Sequence, residues 1–140
     1  MSIEVNLERV ERLTAKVWRS YCKEDPLSHL SFNEYDYLKT VQASEEPIRL
    51  TDLARELEVS KPSATNMIKR LEKKGLVERL ACPEDARAKR VVLTEKARIP
   101  LASELEIYSV VADKLKANLT DSEFTSLNQL LTKALIAARS

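Results

Sequence analysis

The sequence predicts a mainly α-helical chain carrying one small β-hairpin, and three observations lead there. Across 140 residues there is a single glycine, aromatic residues are 5% and charged residues 32%, a profile that suits helices better than sandwiches or barrels. Apolar residues recur every three to four positions through most of the chain. The only β-branched or alternating runs, Leu76 to Leu80 and Lys89 to Leu93, flank a Pro-Glu-Asp turn signal.

Element by element, Ile3, Leu7, Val10, Leu13, Val17 and Tyr21 mark an amphipathic first helix that ends at Asp25-Pro26. Ser31 with Glu34 is a capping box opening a second helix, whose buried face is expected at Phe32, Tyr35, Leu38 and Val41. Ile48 to Leu50 reads as a short extended piece, and Thr51 as the cap of a helix burying Leu53, Ala54 and Leu57. After a turn at Val59, Ser60 caps a fourth helix. Pro62 is tolerated in its first turn, Ala64, Met67, Ile68 and Leu71 form its apolar stripe, and Gly75 ends it. The hairpin follows, with its tip near Cys82 to Ala88. Thr94 is expected to cap a long helix with a heptad seam at Leu101, Leu105, Tyr108, Ala112, Leu115 and Leu119, kinked in its first turns by Pro100. Thr120 with Glu123 is a second capping box, opening a last helix striped by Phe124, Leu127, Leu131, Ala134 and Leu135.

Helix, strand, helix, helix, hairpin in that order is a winged helix-turn-helix. The expected organisation is a winged domain over residues 31–97, with dimerisation helices from residues 1–30 and 98–140. The terminal stripes are more than one small domain can cover, which favours a second copy of the chain.

Composition excludes several chemistries. Phosphate loops and dinucleotide turns need two or three glycines, and only Gly75 is present. Cys22, Cys82 and His29 supply neither a structural zinc site nor a disulfide framework. His29 lies near Glu24 and Asp25, but a surface histidine is the favoured reading over a metal trio. One histidine supports no nucleophile-base arrangement, so no cofactor, metal or enzymatic activity is expected. With no apolar run long enough for a signal peptide or a membrane span, a soluble cytoplasmic protein is expected.

The net charge of +1 conceals an uneven distribution. Nine Lys and Arg between Lys61 and Arg90 meet only Glu72, Glu78, Glu84 and Asp85, giving that stretch +5 and the remainder −4. Such a block suits a surface that meets a polyanion. Stepped at about 100° per residue, the fourth helix sets Pro62, Asn66, Lys69 and Lys73 opposite its apolar side, with Thr65 and Arg70 flanking. Asn66 and Thr65 are placed to read base edges, Lys61, Lys69, Arg70 and Lys73 suit phosphates or guanine, and Ser60 and Ser63 sit at the positive helix end. Arg87 at the hairpin tip, backed by Lys89 and Arg90, suits a minor groove. Asp85 is either its orienting partner or an ordinary turn former. A solvated charged face has the same composition, and a winged-helix protein-interaction module without DNA binding is the alternative; the basic hairpin alongside favours DNA.

Leu50-Thr51-Asp52-Leu53-Ala54, Val59-Ser60-Lys61-Pro62-Ser63, Leu71-Glu72-Lys73-Lys74-Gly75-Leu76-Val77, and above all Asp85-Ala86-Arg87 followed by Val92-Leu93-Thr94, resemble the MarR (multiple antibiotic resistance regulator) family. The resemblance runs over essentially the whole length. It implies a homodimer with interlocked first, fifth and sixth helices, two winged domains on a pseudo-palindromic duplex, and a ligand-responsive transcriptional repressor. It also implies that Arg87 is the minor-groove arginine with Asp85 its support. Small aromatic or phenolic effectors are the expected ligands, with Trp18, Tyr21, His29, Tyr35 and Tyr37 as the residues offered for their cleft. Neither cysteine matches the peroxide-sensing position of some relatives. Cys82, near Arg79 and Arg87, is the candidate for a redox role, against the favoured reading of an inert thiol.

Overall fold

A computed structural model describes residues 1–21, 27, 29–85 and 87–137. Nine elements follow in order: α1 (Ile3–Tyr21), α2 (Phe32–Ala43), β1 (Ile48–Arg49), α3 (Leu50–Leu57), α4 (Lys61–Lys73), β2 (Val77–Ala81), β3 (Lys89–Leu93), α5 (Glu95–Lys116) and α6 (Asp121–Ala137). They form two compact units, one of Met1–Lys23 with Leu105–Ser140 and one of Glu24–Glu104. No helix among the described residues is long and apolar enough to cross a membrane.

The winged unit is built on local signals that hold. Glu34 N–H donates to Ser31 Oγ and Ser31 N–H to Glu34 Oε1, both at 3.1 Å, so the capping box satisfies two amides that α2 leaves open. Ser60 Oγ accepts the Ser63 N–H at 3.2 Å and starts α4. At the other end of α4, Gly75 takes φ 75°. Its N–H returns to the Glu72 carbonyl and that of Leu76 to the Leu71 carbonyl, each at 3.0 Å. That is a complete Schellman ending. A Cβ on Gly75 would meet only Lys96 side-chain atoms at 3.8 Å, so the positive φ, and no crowding, is what calls for glycine here.

The tight turn from α3 to α4 uses a less expected residue. Glu58 adopts the left-handed region (φ 56°) that ends α3, and Val59 N–H bonds back to the Ala54 carbonyl at 3.0 Å. Glutamate holds that conformation at a cost of about 1–2 kcal/mol, offset by the bonds the turn completes.

Three local expectations give way to longer-range partners. Leu50 belongs to α3, whose N-cap is Arg49 with no side-chain capping bond, so Thr51 lies inside the helix. Thr94 does not cap α5 with its hydroxyl, which donates to the Gly75 carbonyl at 2.6 Å and fastens the end of β3 to the end of α4. Phe32, the first residue of α2, is 84% exposed, while Tyr37 fills the core at 2%. The buried face of α2 is therefore Glu34, Tyr37, Leu38 and Val41.

Residues 48–49 also do more than extend. The sheet order is β1-β3-β2, all antiparallel, with Ile48 opposite Val91, Arg49 opposite Arg90, and Val77 opposite Leu93. Leu38, Leu53, Ala64, Ile68, Leu71 and Val91, all fully buried, form the centre of the core. Ala97 and Leu101 are buried in the same core, so the winged unit takes in the first turns of α5 beyond residue 97. Pro100 lies inside that helix.

In the other unit Val17, Ile107 and Val111 form a small core, packed by Leu13, Trp18, Val110 and Leu115. Leu105 and Tyr108 of the heptad seam are exposed, because this core takes up the neighbouring stripe of α5. Thr120 and Glu123 close their capping box at 2.9 and 3.1 Å. In α6 Phe124 is half-buried, with the Lys116 ammonium 5.6 Å from its ring centre.

Candidate nucleic-acid interface

The side of α4 opposite its core stripe is open. Ala64, Met67, Ile68 and Leu71 are buried, whereas Lys61, Pro62, Ser63, Asn66, Lys69, Arg70 and Lys73 are exposed and Thr65 is half-buried. No described hydrogen bond or ion pair engages the charged groups of Lys61, Lys69, Arg70 or Lys73. Lys69, Arg70 and Lys73 thus stand as free cations on the open side of a helix anchored on its other side by Ile68 and Leu71, with Lys61 at its first position. Asn66, the exposed amide among them, sits in the second turn. Ser60 Oγ also donates to Ser63 Oγ at 2.8 Å, so the capping hydroxyl is occupied as both acceptor and donor.

Two ion pairs hold this helix from behind. Arg79 of β2 grips Glu72, with Nε and Nη2 on the two carboxylate oxygens at 3.3 and 3.1 Å, a bidentate contact that leaves Arg79 little freedom for DNA. Lys74, at the C-cap, donates to Glu34 Oε2 at 2.5 Å and so joins α4 to the capping box of α2. That bond, with those from Ser31, holds the Glu34 carboxyl at about 2, against the usual 4.5. A carboxyl lowered on folding stabilises the native state above its unfolded value and loses that contribution as pH falls. We expect the stability gap between the native protein and Glu34→Gln, read from urea midpoints, to be full above pH 4.5 and to close on the way down to about pH 2. A gap unchanged across that range would show that the ion pair contributes nothing.

The hairpin tip is closed by main-chain bonds from Cys82 N–H to the Ala88 carbonyl (3.1 Å), Asp85 N–H to Cys82 (3.3 Å) and Ala88 N–H to Asp85 (3.0 Å). Asp85 Oδ1 accepts the Arg87 main-chain N–H at 2.9 Å. Its role is therefore that of a turn former fixing the backbone of Arg87, with no bond to the guanidinium. Arg87 and Lys89 are exposed with no described side-chain partner.

Arg90 differs from them. It is half-buried, with Nη1 on the Pro47 carbonyl at 3.1 Å and Nη2 on Glu84 Oε2 at 3.2 Å, so it is committed to the sheet. Glu84 also takes Arg49 Nη2 at 2.6 Å and the Cys82 thiol at 3.2 Å, and these donors hold its carboxyl below the usual range. Cys82 itself is 3% exposed and donates to a carboxylate, so it lacks the open environment a reactive thiol needs. Sequence reasoning missed Glu84 and Arg49 because the contact spans 35 residues and depends on β1 pairing with β3.

The aromatic residues offered for an effector cleft are scattered. Tyr37 is sealed in the winged core. Tyr35 is half-buried, its hydroxyl donating to the buried Glu104 carboxylate, and His29 is exposed. Trp18 packs on the small core of the other unit, where Tyr21 is exposed. Cys22, Glu24 and Asp25 lie outside the described residues, and no metal-ligating cluster occurs among those described.

Comparison with known proteins agrees with this architecture. Residues 30–89 match the profile of the MarR family. Wild-type apo MarR from Escherichia coli is 26% identical, with 96% of this chain and 98% of that chain covered and a TM-score of 0.63. Streptococcus pneumoniae FabT, in a complex with DNA, is 19% identical over 95% of this chain and 92% of its own, with a TM-score of 0.75. A MepR point mutant from a multidrug-resistant Staphylococcus aureus clinical isolate is 17% identical over 98% of this chain and 94% of its own, with a TM-score of 0.73. Members of the MarR family are transcription regulators and not enzymes. The match over residues 30–89 and the shared architecture make this chain similar to the winged-helix transcription regulators of the MarR family.

Proposed function

We propose that the protein works as a homodimer on a pseudo-palindromic duplex site, repressing by occupying it, and that a small aromatic or phenolic effector releases it. The observation that carries the reading is the exposed side of α4, where Asn66 lies among Lys69, Arg70 and Lys73, with Lys61 at the helix start, none of them tied to an acid among the described residues. In this reading Asn66 and Thr65 contact base edges, Ser63 and the lysines contact phosphates, and Arg87 with Lys89 reaches the minor groove beside the site. Arg90 and Ser60 serve the interface by holding the wing and the helix start.

Support for the dimer comes from apolar surface. Ile3, Leu7, Leu105, Leu130, Leu135 and Ile136 are each more than half exposed. An open groove of about 820 Å³ in the terminal unit is walled mainly by Ile3, Leu7, Val10, Leu13, Leu115, Leu127 and Leu131. So much apolar surface in a chain this small is expected to be covered by association. Release by an effector requires a difference in its affinity for two arrangements of the winged domains.

Salt dependence tests the reading. Binding through several phosphates weakens by orders of magnitude between about 50 and 200 mM salt. An affinity flat across that range would contradict a DNA interface and favour a protein-interaction module.

A further inference from the structure

Arg49 of β1 and Arg90 of β3 are direct cross-strand partners, so two guanidinium groups face each other on one side of the sheet. Like charges opposite one another destabilise a strand pair. A single atom answers both, since Glu84 Oε2 lies 2.6 Å from Arg49 Nη2 and 3.2 Å from Arg90 Nη2. The same oxygen accepts the Cys82 thiol at 3.2 Å, the point where the chain leaves β2 for the tip. Three residues after Glu84 comes Arg87, whose backbone is fixed by Asp85. The tip is therefore tied to β1 and β3 by one carboxylate at its base.

We propose that Glu84 is a positioning residue for the wing, holding the tip so that Arg87 enters the minor groove. The proposal rests on the DNA-binding reading above. It carries a sign that electrostatics alone would not give. Removing a negative charge from a DNA-facing surface should tighten binding. Removing a residue that aims Arg87 should weaken it, and only where Arg87 matters, on flanks rich in A·T where the groove is narrow.

Binding of the full-length protein is compared on one central site with A·T-rich or G·C-rich flanks, for the native chain, Glu84→Gln, Arg87→Ala and the double variant. Glu84→Gln should weaken binding about three- to five-fold on A·T-rich flanks, within the range an exposed charge cluster supports, and leave G·C-rich flanks unchanged. In the Arg87→Ala background it should cost nothing further, while the thermal midpoint stays close to native. Tighter binding on both duplexes, equal loss on both, or a loss additive with that of Arg87→Ala would overturn the positioning role. A flank preference lost in Arg87→Ala but kept in Glu84→Gln sinks the Glu84 proposal alone. Were Arg87→Ala itself without effect, the minor-groove reading would fall and the proposal with it.

Discussion

Leu131→Asp should leave the chain monomeric in light scattering and lower its affinity for a two-half-site duplex by about 10²-fold or more. Leu131 is 48% exposed and lines the apolar groove with Ile3, Leu7 and Leu127, so the substitution removes little packing within one chain. Placed in an interface between copies, the same carboxylate would have to be desolvated without a partner, which costs several kcal/mol. The DNA effect is larger than any single contact because a dimer joins two half-site events. The second is intramolecular, and that linkage alone multiplies affinity by about 10²–10⁴. A variant that remained dimeric with native DNA affinity would move the subunit interface away from α6.

Asn66→Ala should cost about 1–3 kcal/mol on the selected site and relax preference at one base pair, because a carboxamide makes two directed bonds to a base edge. Lys73→Ala separates reading from attraction. Its ammonium is a free charge on the same face, two turns further along α4. Its loss should weaken every sequence alike and reduce the salt slope by about one unit. Both side chains are exposed while the α4 core residues Ile68 and Leu71 are fully buried, so thermal stability should be nearly unchanged in either variant. If base preference survived Asn66→Ala intact, another residue would be the reader.

The parts legible in the sequence are those decided within a helical turn or two. Periodicity alone placed Ala64, Met67, Ile68 and Leu71 inward, and the capping boxes at Ser31 and Thr120 form as their spacing implies. Gly75 ends α4 because no other residue here takes a positive φ as cheaply. The misplaced residues are those whose partners are distant. Thr51 and Thr94 have the chemistry of caps, but the helix begins before one, and the other turns its hydroxyl to a carbonyl 19 residues away. Phe32 and Tyr37 are both aromatic residues of one helix, and only the packing of α2 on β3 and α3 decides which is buried. Helix α5 is apolar on two sides, so a heptad reading selects Leu105 and Tyr108 while the core of the single chain uses Ile107 and Val111.

Of the candidate interface, residue types and the helix face were legible. The commitments of individual charges were not. Arg79 and Arg90 look like Lys73 and Arg87 in sequence, yet the first two are bound to Glu72 and Glu84. A basic block of nine therefore presents fewer free cations to DNA than its composition suggests.

Hydroxyl-radical footprinting of the native protein on a duplex selected from random sequence is the most direct measure of the account. Two protected half-sites centred about 34 Å apart are expected, each flanked by minor-groove protection where the wing enters. A single protected half-site without a symmetric partner, or no duplex enriched over random sequence, would contradict it.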